Sequence, residues 1–303
     1  MEKRRIGVSP LESSLLGLGC MSLGTDQKKA EDIIRTAYDQ GINYFDTADL
    51  YDYGTNEEIV GKALKPIRND VLIATKVGNR AKDDLSGWYW DPSKSYIKEQ
   101  VKNSLKRLQT DYIDLYQLHG GTLDDPIDET IEAFEDLKRE GLIRAYGFSS
   151  IRPNVIREYA PRSSADSNMM QYSLLDRRPE EQAFNVLKEN DVSVITRGPL
   201  AKGLLSAKFK EKLADKDSYV HYSHQELEEL LPKLQDLFKG RSLTEIALLF
   251  NAAHTEVSTI IAGASTPDQV SENVKAINEN PLSREEIEVL KSLTKADGYT
   301  EHR

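Results

Sequence analysis

Val71-Leu72-Ile73-Ala74-Thr75-Lys76-Val77 is an apolar run too short for a buried helix, interrupted by one lysine near its end. A run of this length without polar alternation marks a strand buried on both faces, as in a parallel sheet covered by helices. Runs of the same kind recur at Leu15–Leu18, Tyr44–Ala48, Tyr112–Leu118, Ala145–Ser149, Asn168–Tyr172, Val192–Thr196 and Ser258–Ala262. Between them the apolar residues take helical spacing. Ile97, Val101, Leu105 and Leu108 share one face, as do Ile131, Phe134 and Leu137 ahead of a stop at Gly141. Helices alternating with strands imply parallel strands, and eight such units predict an α/β fold of the closed (β/α)8 TIM barrel type. An open dinucleotide-binding sheet fits less well, because Gly17-Leu18-Gly19-Cys20-Met21-Ser22 lacks the third glycine of its phosphate-binding turn.

The ends of the chain depart from plain alternation. Residues 3–14 carry a turn signal at Ser9-Pro10 and read as an N-terminal β-hairpin closing the barrel bottom. Residues 207–222 are rich in lysine and aspartate without periodicity and read as a long loop. A helix bearing Leu227, Leu230, Leu231 and Leu234 follows, with Pro232 expected to kink or split it. Ser283 and Glu286 form a capping box flanked by Leu282 and Ile287 as a staple, which predicts extra C-terminal helices outside the repeat. No Pro/Ser/Gly-rich linker cuts the chain, so residues 1–303 are read as a single barrel domain.

Composition narrows the function. Forty Lys and Arg against 50 Asp and Glu leave a net charge of −10, which disfavours binding to a nucleic-acid backbone. Cys20 is the one cysteine, so an intramolecular disulfide and a cysteine-built metal site are excluded, and a reducing compartment fits. With no apolar leader and no long apolar run, the expectation is a cytoplasmic protein without a membrane partner, a monomer by default. His221 and His224 lack further ligands, and Asp46, Asp49 and Asp52 are better explained otherwise, so no metal is expected.

In a barrel of this kind chemistry sits at the C-terminal strand ends. Asp46 ends the second strand, Lys76 the third and His119 the fourth, while Tyr51 lies in the loop leaving the second. A lysine inside an apolar strand is costly to bury without a carboxylate, and Asp46 on the neighbouring strand can supply one. The fixed positive charge stabilises a nearby phenolate, which makes Tyr51 a proton donor. His119 is placed to orient a carbonyl oxygen and to share in proton transfer. Each residue alone reads more readily as packing or a structural ion pair; their convergence on one rim favours catalysis.

Gly41-Ile42-Asn43-Tyr44-Phe45-Asp46-Thr47-Ala48 with Tyr51, Asn56-Glu57 and Val60-Gly61 resembles the signature of the aldo-keto reductases. The similarity continues through Ala74-Thr75-Lys76-Val77, Gln117-Leu118-His119, Gly147-Phe148-Ser149-Ser150, Gln171-Tyr172-Ser173 and Gly198-Pro199-Leu200 to the segment from Gly263 to Asn273. The resemblance implies a TIM barrel that reduces aldehydes or ketones with NADP(H), with Tyr51 as proton donor, Lys76 and Asp46 tuning it, and His119 orienting a small-molecule carbonyl substrate.

It also implies that Ser149 and Gln171 bind the nicotinamide amide, with Ser150 where asparagine is more usual. Arg197 takes the place of a stacking tyrosine, and its planar guanidinium can still lie against a ring. Gly198, Pro199 and Leu200 follow it in the cofactor loop. Independently, Gly263-Ala264-Ser265-Thr266-Pro267-Asp268-Gln269 reads as a turn into a helix, with Thr266 as N-cap and Gln269 closing a capping box. Such a terminus binds anions, and the loops after the last two strands are the usual phosphate site of a barrel. Glu272 and Asn273 continue that cofactor segment. Gly263 and Gln269 stand where some relatives place cations for a 2′-phosphate, which Lys202 and Lys208 could replace. Trp88 and Trp90 are read as walls of the substrate pocket.

Two other readings compete. Potassium-channel β subunits share this fold, which allows a cofactor-binding redox sensor with little turnover. A Schiff-base isomerase or lyase using Lys76 is the third.

Overall fold

The computed structural model describes residues 1–303. Eight strands close into an all-parallel barrel: β1 (Leu16–Gly19), β2 (Tyr44–Asp46), β3 (Leu72–Val77), β4 (Ile113–Leu118), β5 (Ile143–Phe148), β6 (Ser167–Gln171), β7 (Ser193–Arg197) and β8 (Val257–Gly263). Each overlaps one of the apolar runs. Pairing runs around the ring in sequence order, from Leu18 opposite Phe45 to Ala262 opposite Leu18, and β5 and β6 close it through Gly147 opposite Ser167.

Helices separate the strands: α1 (Gln27–Asp39), α2 (Thr55–Leu64), α3 (Lys94–Leu108), α4 (Ile127–Arg139), α5 (Pro153–Arg162) and α6 (Ala183–Glu189). Beyond β7 come α7 (Phe209–Ala214), α8 (His224–Leu237) and α9 (Leu243–Ala252), and beyond β8 lie α10 (Pro267–Ile277) and α11 (Arg284–Leu293). Their starts are chemically marked. Asp26 and Ser93 cap α1 and α3, and reciprocal capping boxes open α8, α9 and α11.

Residues facing into the barrel from seven strands form one apolar layer: Tyr44, Ala74, Leu115, Ala145, Met169, Ile195 and Ile261. Strand β1 contributes Gly17 instead, where a Cβ would come within 2.7 Å of Ile261 and 2.9 Å of Tyr44. Close approach of two large neighbours requires that glycine. Lys3–Arg5 pairs antiparallel with Glu12–Ser14, and Ile6 and Leu11 in the intervening turn join the inner layer. The hairpin therefore plugs the barrel bottom.

Three local expectations are corrected. Residues 207–222 are not a plain loop: α7 buries Phe209 and Leu213 one turn apart, and a small hairpin of Ser218–Tyr219 and Tyr222–Ser223 buries both tyrosines. Helix α8 runs through Pro232 without splitting, because Leu227, Leu230, Leu231 and Leu234 are all buried on one face. The Gln269 side chain does not close a box on Thr266; its Oε1 accepts from the Ser265 N–H at 2.8 Å and from Ser265 Oγ at 3.1 Å, one residue earlier. No helix is long and apolar enough to cross a membrane.

Candidate active site

Register brings the reactive groups together. Asp46 pairs with Ala74 across β2 and β3, so Lys76 stands two residues farther toward the barrel mouth, opposite Gln117 on β4. Lys76 is buried, and its Nζ donates to Asp46 Oδ2 at 2.7 Å, to the Thr47 carbonyl at 2.6 Å and to Tyr51 Oη at 3.2 Å. Burial works against the Lys76 charge, but the Asp46 carboxylate outweighs it and holds the ammonium above the ordinary lysine range. Burial likewise pushes the Asp46 carboxyl up while Lys76 opposes it.

Beyond Tyr51 the backbone reverses sharply through left-handed residues, Asp52 at φ 47°, Tyr53 at φ 50° and Gly54 at φ 93°, before α2 begins. This reversal lets Tyr51 reach back over Lys76 while α2 leaves in another direction. The Tyr51 and His119 rings meet edge to face at 5.9 Å between centroids. Burial first, then the charges of Lys76 and Arg197, push His119 down to about 3. Its ring is therefore neutral near pH 7, which suits hydrogen bonding to a carbonyl oxygen.

Across the same rim, Gln171 and Arg197 end β6 and β7 as pairing neighbours, and Arg197 Nη1 donates to Gln171 Oε1 at 3.1 Å. Gly198 follows at φ 69°, then Pro199 and the partly buried Leu200. Ser149 is half-buried just past β5, whereas Ser150 is buried in a two-way clasp with Asn168. Lys202 and Lys208 are exposed in the loop after β7. Thr266 caps α10 through the Gln269 N–H, with Pro267 at the first position. Glu272 accepts from Thr244 on α9, and Asn273 is buried. These two are engaged with the fold's own packing.

Trp90 belongs to a short ribbon, Asn79–Ala81 with Trp88–Trp90, that rises from β3. Its ring lies over Gly78 and Gly120 beside the His119 strand end, and its Nε1 donates to Asp125 at 2.8 Å. Trp88 is exposed farther along the same strand.

Sequence reasoning missed two features. Ser22 sits so close to Gly263 that a Cβ there would be 2.7 Å from its Oγ, which brings the turn after β1 against the C-terminal end of β8. The pairing of Gly19 with Gly263 at adjacent strand ends was the available signal. Behind the Tyr51 loop lies a second buried polar cluster. Glu57 accepts from Thr75 Oγ1 at 2.6 Å and from Arg107 Nε at 2.7 Å, while Asp49 accepts from Gln100 at 3.2 Å and keeps Oδ1 unpartnered. Burial, then Glu57, pushes Asp49 up to about 7. A cavity of about 250 Å³ lined by Asp49, Leu50, Tyr53, Arg80, Tyr96 and Gln100 opens beside it.

Comparison with known proteins agrees with this architecture. A family model described as the aldo/keto reductase family matches residues 15–295. The chain is 54% identical over 306 residues to an uncharacterized oxidoreductase, YqkF, of Bacillus subtilis, covering 100% of each. It is 31% identical to an NADH-specific methylglyoxal reductase of Escherichia coli, over 98% of this chain and 99% of that one. Among solved structures, the holo form of aldo-keto reductase AKR11C1 from Bacillus halodurans superposes with a TM-score of 0.96 at 57% identity, covering 100% of this chain and 99% of that one.

Proposed function

This chain belongs to the aldo/keto reductase family of oxidoreductases, and from that premise we propose that it reduces aldehydes or ketones to alcohols with NADPH, Tyr51 giving the proton. The observation that carries the reading is the Lys76 ammonium, 2.7 Å from buried Asp46 and 3.2 Å from the Tyr51 hydroxyl. A fixed positive charge at that distance favours the phenolate left behind when the proton departs. Neutral His119 offers a hydrogen bond to the carbonyl oxygen and holds it near Tyr51. Bound cofactor supplies the hydride to the carbonyl carbon.

The residues suit a dinucleotide. Gln171 presents an amide at one end of the rim, the Arg197 guanidinium offers a flat face beside it, and the N-terminus of α10 favours phosphate at the other end. Ser149, Ser150, Gly198, Pro199, Leu200, Gly263, Ser265, Thr266, Gln269, Glu272 and Asn273 lie along this path in our reading. Lys202 and Lys208 supply the positive charge for a 2′-phosphate, with Trp88 and Trp90 walling the substrate. One chain holds the whole constellation, so a monomer suffices.

The test is oxidation of NADPH, and of NADH in parallel, with a panel of aldehydes. We expect Tyr51→Phe to lower kcat by about 10²- to 10⁴-fold with cofactor affinity nearly unchanged. Equal turnover in the variant overturns the donor role. Tight cofactor binding with no turnover on any aldehyde in the wild type favours a redox sensor instead.

A further inference from the structure

A chain of charged contacts that begins outside the proposed site ends on Gln171. Gln171 Nε2 donates to Asp176 Oδ2 at 2.7 Å, while its Oε1 accepts from Arg197 at 3.1 Å. Asp176 is buried in a tight turn after β6, closed by backbone bonds to Ser173 at 2.9 and 3.2 Å. Its carboxylate accepts both Arg178 Nε at 2.7 Å and Arg178 Nη2 at 2.8 Å. The Arg178 guanidinium in turn lies 4.8 Å from the ring centroid of Tyr299, in the C-terminal tail.

A primary amide has nearly the same shape when its oxygen and NH₂ are exchanged, so an unrestrained glutamine presents either group. Here the two partners are not interchangeable. A carboxylate only accepts and a guanidinium only donates. A flipped Gln171 would set its oxygen against Asp176 and its NH₂ against Arg197, two repulsive contacts in place of two charge-assisted bonds. We propose that Asp176, anchored by Arg178, is a positioning residue that locks the Gln171 amide in one orientation. The lock leaves one N–H and one oxygen lone pair of Gln171 for the carboxamide of a nicotinamide. The inference rests on the reading above that Gln171 meets the cofactor. A role confined to stapling the Ser173–Arg178 turn would involve the same ion pair without orienting the amide.

The experiment measures NADPH dissociation constants by fluorescence for the full-length wild type, Gln171→Ala, Asp176→Asn and the double variant, with melting temperatures alongside. We expect Asp176→Asn to weaken binding about tenfold, equivalent to one charge-assisted hydrogen bond. In the Gln171→Ala background the same substitution should change affinity no further, since the group it orients is gone. An equal loss in both backgrounds assigns Asp176 to the turn alone and overturns the proposal. So does wild-type affinity in Asp176→Asn when Gln171→Ala is weakened. Wild-type affinity in Gln171→Ala overturns the cofactor role of Gln171 and the lock with it. Should Asp176→Asn fail to fold, Arg178→Gln replaces it, with about a threefold weakening expected and the same disappearance in the Gln171→Ala background.

Discussion

Two buried acid–base clusters lie on opposite sides of the short segment from Asp46 to Gly54, and they balance charge differently. Toward the barrel mouth, one carboxylate meets one ammonium, Asp46 and Lys76 at 2.7 Å. Toward α2 and α3, two carboxyls share one guanidinium: Arg107 is bound to Glu57 at 2.6 Å, and Asp49 is left with a glutamine. The first arrangement keeps its lysine charged; the second keeps a proton on Asp49 up to about pH 7. The carboxyls are nearly fully buried in both, so the number of compensating charges decides the protonation state.

The largest effect should come from Lys76→Met. It strands a buried carboxylate and removes the charge beside Tyr51, so we expect a loss of about 3–5 kcal/mol in urea unfolding together with loss of turnover. Retained activity would break the matched-pair description. Arg107→Met strands Glu57 in the same way, but its side chain is 20% exposed. We expect about 2–3 kcal/mol of destabilisation, with kcat within a few-fold of wild type. A larger loss of activity than of stability would show that the rear cluster acts on Tyr51 directly.

Asp49→Asn should give the smallest effect and the most informative sign. Its carboxyl is raised from 3.8 to about 7 in the folded chain. Between those values the folded state holds a proton that the unfolded state has released, so the stability linked to Asp49 is full below 3.8 and is lost as pH rises to about 7. The variant lacks this dependence. Its stability relative to wild type should climb across that window and level off above it. A constant difference from pH 4 to 8 would place Asp49 with the compensated acids.

The barrel was legible because its strands are buried on both faces, so they read as unbroken apolar runs. The four-residue cluster was legible because strand ends in a closed barrel share one rim, whatever their distance in sequence. The rear cluster was not. Glu57 and Arg107 are 50 positions apart and meet only because α2 packs tightly on α3, where a Cβ on Gly61 would be 2.4 Å from the Leu108 Cα. Helix α7 escaped notice because six residues hold too little periodicity to read, and the ribbon from Asn79 to Trp90 because each strand is only three residues long. Orientation of the Gln171 amide depends on Asp176, five residues on through a turn whose shape no local pattern announces.

Closure of the eight-strand ring also bears on how crowded copies of this chain behave. Every long strand has a neighbour on both sides, so the barrel offers no row of unpaired backbone groups on which another chain could extend a sheet. Only the three small two-stranded ribbons keep open edges. These are two or three residues long per strand, and one of them is Lys3-Arg4-Arg5, whose like charges repel a second copy. Strand-templated aggregation therefore has little to start from until the ring itself opens.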